Sequence, residues 1–230
     1  MKPATCPIAH GARIVSKDEE RNGAMKQVKV DSGVPEYHVD YCFPGDELGY
    51  KLTILVAVER VSGMKMASVV PTKGATGAFA ARRVIELMDE CGDHSTTVIV
   101  KSDQERAIKF LVRDIVQQRT SARTLVEESP KYSSASNGIV ERAIQTCEGQ
   151  IRSLKSQVDE RYMVRIVTEH PLMAWLCEHA AYLLNRLESG RDGKTSYERS
   201  RGKRATVLGL ELAEKIFWKE KPLGTVQAVK

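Results

Sequence analysis

Three acidic side chains occupy positions from which a carboxylate could take part in chemistry. Asp40 lies in YHVDYCF, whose apolar residues alternate with period two and predict a β-strand. Asp103 ends TTVIVKSD, a β-branched stretch that predicts another strand. Glu141 comes early in a long helical pattern and lies about 100° round from Val140 on the apolar seam. Taken singly, each has an ordinary explanation as a strand acid, a helix cap or a solvated charge.

Carboxylates that meet in one place would form a site for hard cations. Three such groups repel one another unless positive charge neutralises them, and their oxygen atoms are the ligands that Mg²⁺ and Mn²⁺ prefer. Two such ions, about 4 Å apart, can activate an attacking oxygen and stabilise a leaving one in phosphodiester chemistry. The three acids therefore raise the hypothesis of a two-metal site with Mg²⁺ or Mn²⁺ as the cofactor.

The elements that would position these acids follow in a definite order. Periodicity predicts three strands over residues 37–43, 50–60 and 64–70, and then a helix, a strand, a helix, a strand and further helices. An antiparallel meander followed by strand–helix–strand crossovers gives an α/β fold, with a mixed five-stranded sheet flanked by helices on both faces. The first and fourth strands can lie side by side in such a sheet, which would make Asp40 and Asp103 neighbours.

The helical patterns also predict which residues are buried. We expect residues 130–138 to form a loop, with Gly138 letting the chain turn into the long helix, and we expect Trp175 and Tyr182 to lie in the core. The predicted seam of the long helix is Val140, Ile144, Cys147, Ile151, Leu154 and Val158. The predicted buried side of the first helix is Phe79, Val84, Leu87 and Met88.

Composition and charge point to a globular protein with a polyanionic partner. The chain has 230 residues and a net charge of +5, and residues 142–230 contain 16 Lys and Arg against 11 Asp and Glu. The densest basic stretch, residues 186–204, predicts contact with phosphates, although a solvated basic surface is the alternative. Its cations are Arg186, Arg191, Lys194, Arg199, Arg201, Lys203 and Arg204.

The sequence predicts neither a membrane protein nor a disulfide-stabilised secreted one. No apolar run reaches the roughly 18 residues of a membrane span, and the first residues lack the apolar core of a signal peptide. The five cysteines are odd in number and widely spaced, which indicates a reducing compartment. We therefore expect a nuclear or cytoplasmic location and no membrane partner.

The quoted motifs resemble the catalytic core of retroviral and retrotransposon integrases. Asp40 and Asp103 are separated by 62 residues, and Asp103 and Glu141 by 37. KSDQERAIKF is similar to that family's aspartate at a strand end, and SSASNGIVERAIQ is similar to its S-x-N-G-x-x-E motif. AWLCEHAAYLLNRLESGRDGKTSYERSRGK resembles the helix and basic loop that follow the core in retrotransposon integrases.

This resemblance implies a ribonuclease H-like fold and a polynucleotidyl transferase. It implies that Asp40, Asp103 and Glu141 are the catalytic metal ligands, that DNA 3′ ends are processed and joined to target DNA, and that the protein works as a homo-oligomer. Along the long helix it implies DNA contacts from Asn137, Gln145, Arg152 and Lys155. For Asn137 we favour a helix cap over DNA contact, and for Arg152 and Lys155 the alternative is pairing with acids one turn away.

The sequence also departs from the family pattern. Glu105 stands where many integrases carry a glycine, and only Cys6 and His10 remain where a zinc-binding module would need four ligands. We expect residues 1–35 to be a linker or truncated arm, 36–190 the catalytic core, and 191–230 a truncated basic extension. Two other hypotheses stay open: a transposase or ribonuclease H-type nuclease on the same fold, and a decayed or domesticated DNA-binding module without catalysis.

Overall fold

The chain builds a mixed five-stranded sheet. The computed structural model describes residues 33–45, 51–74, 78–129, 134–206, 212 and 214, with side chains of the long helix from residue 137 onward. The strands are β1 (Glu36–Cys42), β2 (Ile54–Glu59), β3 (Lys65–Val69), β4 (Val98–Ser102) and β5 (Thr124–Glu128). They lie in the order β3-β2-β1-β4-β5. The first three pair antiparallel, whereas β4 pairs parallel with both β1 and β5, so the predicted sheet is confirmed.

Helices cover both faces of the sheet, as predicted. They are α1 (Ala78–Cys91), α2 (Arg106–Gln118), α3 (Ser134–Tyr162), α4 (Leu172–Leu187) and α5 (Ser196–Arg201). One core joins the face of β1 that carries Tyr37 and Val39 to α1 and α2. A second core joins the opposite face, through Cys42 and Val56, to α3 and α4. All these elements belong to the unit that begins at Val34, and no described helix is long and apolar enough to cross a bilayer.

The long helix α3 packs along the seam that its sequence predicts, but it begins earlier. Val140, Cys147, Leu154 and the rest of the seam are buried or partly buried against the second core. The helix already starts at Ser134, so the prediction of a loop over residues 130–138 is wrong for its second half, and Gly138 is a helical residue rather than a turn. Hydrophobic periodicity starts only at Val140, so it could not mark a first turn of small polar residues.

Three aromatic side chains expected in the core are instead exposed. Phe79 is 47% exposed, since it lies on the far side of α1 from the stripe that Val84 and Met88 define. Trp175 and Tyr182 are 48% and 39% exposed, and both stack on His179, at 4.6 and 5.9 Å between ring centroids. The core side of α4 is lined instead by smaller residues, namely Met173, Leu176, Cys177, Ala180, Ala181 and Leu184.

Candidate metal centre and nucleic-acid surface

The sheet register makes Asp40 and Asp103 neighbours. β1 and β4 run parallel, with His38 opposite Lys101. Continued by two residues, this register places Asp103, the first residue after β4, opposite Asp40. Asp40 shares a face of β1 with Cys42, the face that α3 and α4 cover, and the charge of Asp103 acts on its carboxylate. The placement follows from two parallel strands meeting at the centre of the sheet.

The electrostatics of Asp40 confirm that acidic groups surround it. Burial raises the pKa of Asp40 to about 6, and the charges of Asp103 and Glu105 also raise it. A hydrogen bond from the Tyr41 backbone N–H, 2.7 Å long, and the charge of Lys73 act in the opposite direction. The ionised form of this half-buried carboxylate is therefore incompletely neutralised. Such a group favours a bound cation.

Lys73 and Glu105 form an ion pair beside the two aspartates. The Lys73 ammonium also lies 5.0 Å from the ring centroid of Phe43, and the Glu105 backbone N–H donates a 3.0 Å hydrogen bond to Asp103 Oδ1. The sequence drew attention to Glu105 as a departure from a family pattern. Nothing in it singled out Lys73, because only the folded sheet brings the segment after β3 against the segment after β4.

Glu141 lies on α3, one of the two helices that cover the Asp40 face of the sheet. It is exposed, and it directly follows Val140, which is buried against that face. Across the described residues, however, no three His, Cys, Asp or Glu side chains are grouped closely enough to hold a metal ion. The structure therefore brings together the two aspartates, and the convergence of Glu141 with them stays a prediction.

The chemistry of the aspartate pair fits a divalent cation. Asp40 and Asp103 offer hard oxygen ligands from adjacent strands, which suits Mg²⁺ or Mn²⁺. Burial is the main cause of the raised pKa of Asp40 and the charges of Asp103 and Glu105 add to it, so positive charge would stabilise the ionised pair. Lys73 supplies part of that charge from the flank of the site. Two carboxylates and an adjacent cationic side chain make a site that can receive an ion, and Glu141 stays the predicted further ligand from α3.

The polar residues along α3 are engaged in pairs within the helix. Arg152 is 72% exposed and lies 4.0 Å from Glu148, while Lys155 lies 2.5 Å from Asp159. These are the i,i+4 pairings that formed the alternative to DNA contact. Gln145 is exposed one turn beyond Glu141. The pairs are on or near the surface and cost little to break, so the predicted DNA contacts by Gln145, Arg152 and Lys155 stay predictions.

Asn137 ties the first turn of α3 to the end of the sheet. The Ser129 hydroxyl, just beyond β5, donates a 2.7 Å hydrogen bond to Asn137 Oδ1. Since α3 begins at Ser134, Asn137 is inside the helix and the prediction that it caps the helix is wrong. Its contact with Ser129 instead fixes the start of the helix that carries Glu141, while its role toward DNA stays a prediction.

Arg186, like Arg199, differs from the exposed cations of the basic segment. It is half-buried, and its guanidinium lies 3.3 Å from Glu90 and stacks over Tyr182 at 3.9 Å from the ring centroid. This side chain holds α4 against α1, which limits its capacity for phosphate contact. The five exposed cations predicted to bind DNA are Arg191, Lys194, Arg201, Lys203 and Arg204.

Comparison with solved structures identifies the fold. A chain of the simian T-cell lymphotropic virus intasome, solved in complex with the PP2A regulatory subunit B56 gamma, matches at 16% identity and a TM-score of 0.53. The match covers 81% of this chain and 61% of that chain. This chain has the fold of an integrase catalytic core. The predicted ribonuclease H-like fold, a mixed sheet with helices on both faces, is thus confirmed.

Two further integrase cores match with lower scores. The HTLV-2 integrase catalytic core domain in complex with magnesium is 17% identical, with a TM-score of 0.46 over 73% of this chain and 98% of that one. The BIV integrase catalytic core domain is 21% identical, with a TM-score of 0.44 over 71% and 91%. No protein-family model and no curated protein matches the sequence.

Proposed function

We propose that this chain is the catalytic core of a retrotransposon-type integrase, which processes a DNA 3′ end and joins it to target DNA with the aid of Mg²⁺ or Mn²⁺. The observation that carries the proposal is the parallel pairing of β1 with β4, together with the action of the Asp103 charge on Asp40, in a sheet with the integrase-core fold. The raised pKa of Asp40 supports it, because a structural acid at this place would be expected to have a complete set of partners.

Asp40 and Asp103 are the residues that would hold the ion, and Glu141 would approach from α3. A bound ion would lower the cost of charge on the attacking and leaving oxygens. Water attacks phosphorus in end processing and a DNA 3′-hydroxyl attacks it in strand transfer. In both, the bond from phosphorus to the leaving 3′-oxygen breaks in line with the attack. The exposed cations after α4 would hold the DNA backbone without reading sequence.

The proposal includes a homo-oligomer, because joining two DNA ends to one target requires two active sites held together. The main competing function is a DNA-binding module without catalysis. It is favoured by the lack, among the described residues, of a three-ligand group around the two aspartates. A transposase or a ribonuclease H-type nuclease on the same fold would share the aspartate pair and differ in the substrate that it accepts.

A strand-transfer assay with a short DNA end and either Mg²⁺ or Mn²⁺ tests the proposal. We expect Asp40→Asn and Glu141→Gln each to lower the rate by about a hundredfold or more, because each removes a metal ligand. Glu160→Gln, the same change about five turns further along α3, serves as the matched control and should leave the rate within about threefold, because this exposed acid lies near the far end of the helix.

The outcomes separate the competing functions. Equal rates for the wild type, Asp40→Asn and Glu141→Gln would show that these carboxylates do not catalyse the reaction. A wild type that binds DNA but transfers no strand would favour the non-catalytic module. Cleavage of an RNA–DNA hybrid without strand transfer would favour the nuclease.

A further inference from the structure

Arg199 links three segments of the chain through a single guanidinium group. Its Nε and Nη2 atoms donate to the two carboxylate oxygens of Asp192, at 2.9 and 2.6 Å. Nη2 also donates to the Lys194 carbonyl at 3.0 Å, and Nη1 donates to the Ser62 carbonyl at 3.1 Å. A two-pronged arginine–carboxylate pair is both stronger and more directional than a single ionic hydrogen bond. The side chain therefore fixes the loop after α4 to the turn between β2 and β3.

The loop that Arg199 holds is also closed by its own backbone. Ser189 and Thr195 form an antiparallel bridge. Between them the Gly190 N–H donates to the Lys194 carbonyl at 2.9 Å, and the Lys194 N–H donates to Asp192 Oδ1 at 3.2 Å. A capping box between Thr195 and Glu198 then starts α5, the helix that carries Arg199. Residues 189–195 are thus a closed loop with Asp192 near its tip.

Gly190 leaves the space that the guanidinium fills. A Cβ atom at this position would lie 1.9 Å from Arg199 Nη2 and 3.1 Å from Asp192 Oδ1. Because a contact under 3 Å with a held guanidinium requires the group to move, the Arg199 position and the Gly190 backbone depend on each other. The interior of the loop is therefore filled by the Asp192–Arg199 pair.

Two cations point out of this loop. Arg191 and Lys194 flank Asp192 on either side and are exposed. Within the part of the chain that the structure describes, neither side chain forms an ion pair or donates a hydrogen bond. Their backbone positions are fixed while their charges remain available, which suits a partner that carries regularly spaced negative charge.

We propose that the Asp192–Arg199 pair preorganises residues 189–195 so that Arg191 and Lys194 meet the DNA backbone without a loop having to order on binding. The inference rests on the proposed function, because it takes DNA as the partner. It explains why an acid stands between two cations at a DNA-binding surface. Asp192 weakens the local positive charge, but it removes the entropic cost of ordering the loop when DNA binds. Asp192 is a positioning residue in this account.

The substitution Asp192→Asn distinguishes preorganisation from simple electrostatic attraction, because the two predict opposite changes in DNA affinity. It adds one unit of positive charge, so a simple basic patch would bind DNA more tightly. The amide oxygen of asparagine can accept only one of the two hydrogen bonds from the Arg199 guanidinium. The amide N–H groups then face the second guanidinium N–H, and two donors cannot bond to each other. We therefore expect its affinity for a DNA duplex to fall by about threefold to tenfold, the cost of ordering one or two side chains. Fluorescence anisotropy with a labelled duplex gives this dissociation constant.

Two further variants keep the test decisive. Arg199→Lys preserves the charge but loses the two-pronged geometry, so we expect a similar loss of affinity. Glu169→Gln adds the same charge at an exposed acid with no ion pair among the described residues, and it should bind DNA equally well or slightly more tightly. Trypsin provides a readout without DNA, since a loosened loop should be cut faster after Arg191 and Lys194.

Each outcome supports the inference or overturns it. Weaker binding and faster loop cleavage in both Asp192→Asn and Arg199→Lys, with melting temperatures that stay above the assay temperature, support it. An Asp192→Asn protein that binds DNA as tightly as Glu169→Gln or more tightly overturns it. If the wild type binds no duplex, the proposed function is wrong. Faster cleavage in the variants would then show only that the Asp192–Arg199 pair orders the loop.

Discussion

The ionised Asp40 side chain destabilises the folded protein. Its pKa in the folded protein is about 6 against an ordinary value of 3.8, and burial is the main cause. The folded state therefore holds the Asp40 proton more tightly than the unfolded chain does. Tighter proton binding by the folded state contributes to the free energy of unfolding. This contribution is fully present below about pH 4, falls as the pH rises toward 6, and is lost above pH 6.

The substitution Asp40→Asn should consequently stabilise the protein at neutral pH. Because Asp40 is only partly buried, solvent screening reduces the cost of its charge, so at pH 7.5 we expect the variant to be more stable than the wild type by about 1–2 kcal/mol. At pH 4 both side chains are largely uncharged, and the difference should nearly disappear. Urea denaturation at the two pH values measures this. A variant that is less stable than the wild type at pH 7.5 would contradict the account. Added Mn²⁺ should raise the wild-type melting temperature more than that of the variant.

The site was predictable from the sequence only in part. Asp40 and Asp103 could be found because each interrupts a strand pattern with a charge, and because the order of the strands fixes which two are neighbours. Lys73 could not be found, since its proximity to Glu105 depends on how the segment after β3 packs against the segment after β4. Arg199 likewise looked like one more surface cation, because its partners lie in a turn far away in sequence.

At the scale of elements, the helix α3 contains two glycines, Gly138 and Gly149, although glycine destabilises a helix. A Cβ atom at Gly138 would have no neighbouring atom within 4 Å, and at Gly149 it would meet only Arg152 Nη2 at 3.9 Å. Glycine in a helix interior costs about 0.5–1 kcal/mol relative to alanine. Packing within the described chain therefore does not explain Gly138, which lies one turn before Glu141.

The matched substitutions Gly138→Ala and Gly149→Ala test whether DNA explains it. Each should stabilise the protein by about 0.5–1 kcal/mol in thermal or urea unfolding, because both sites have room for a methyl group. If a DNA strand approaches the backbone beside Glu141, Gly138→Ala should also reduce strand transfer severalfold while Gly149→Ala leaves it unchanged. Equal activity in the two variants would mean that DNA does not use the space at Gly138.

The elements themselves were predicted well where packing repeats along the chain. Most strands and the helices α1 to α4 carry apolar patterns that identified them, although the start of α3 was missed. The six residues of α5 carry no such pattern, and only the capping box between Thr195 and Glu198 marks its start. The exposed ring of Trp175 was misjudged because an apolar residue type indicates burial without indicating which side of a helix faces the core.

At the scale of the whole molecule, the fold protects one edge of its sheet through α4. Asn185 accepts a 3.0 Å hydrogen bond from the Lys65 backbone N–H and donates a 2.7 Å one to the Lys65 carbonyl, at the start of edge strand β3. Edge strands with unpaired backbone groups invite association with other chains. The same helix continues into the loop of Arg191 and Lys194, so the element that closes the sheet edge also positions the basic surface.

The excess of basic over acidic residues lies entirely in the C-terminal part of the sequence. Residues 1–141 contain 19 basic and 19 acidic residues, whereas residues 142–230 contain 16 and 11. If the basic excess binds DNA, removing a cation there should reduce the number of counterions released on binding. Removing a cation from the balanced half should change that number much less, although both variants lose the same charge.

Arg191→Gln and Arg113→Gln make this comparison with the same chemical change. Arg191 lies in the loop after α4, and Arg113 is an exposed residue of α2. In a plot of log affinity against log salt concentration, the loss of one phosphate contact reduces the magnitude of the slope by about 0.9 on duplex DNA. We expect that reduction for Arg191→Gln and an unchanged slope for Arg113→Gln, measured by anisotropy between about 50 and 200 mM salt. Equal slopes would mean that DNA responds to the net charge of the molecule rather than to the loop.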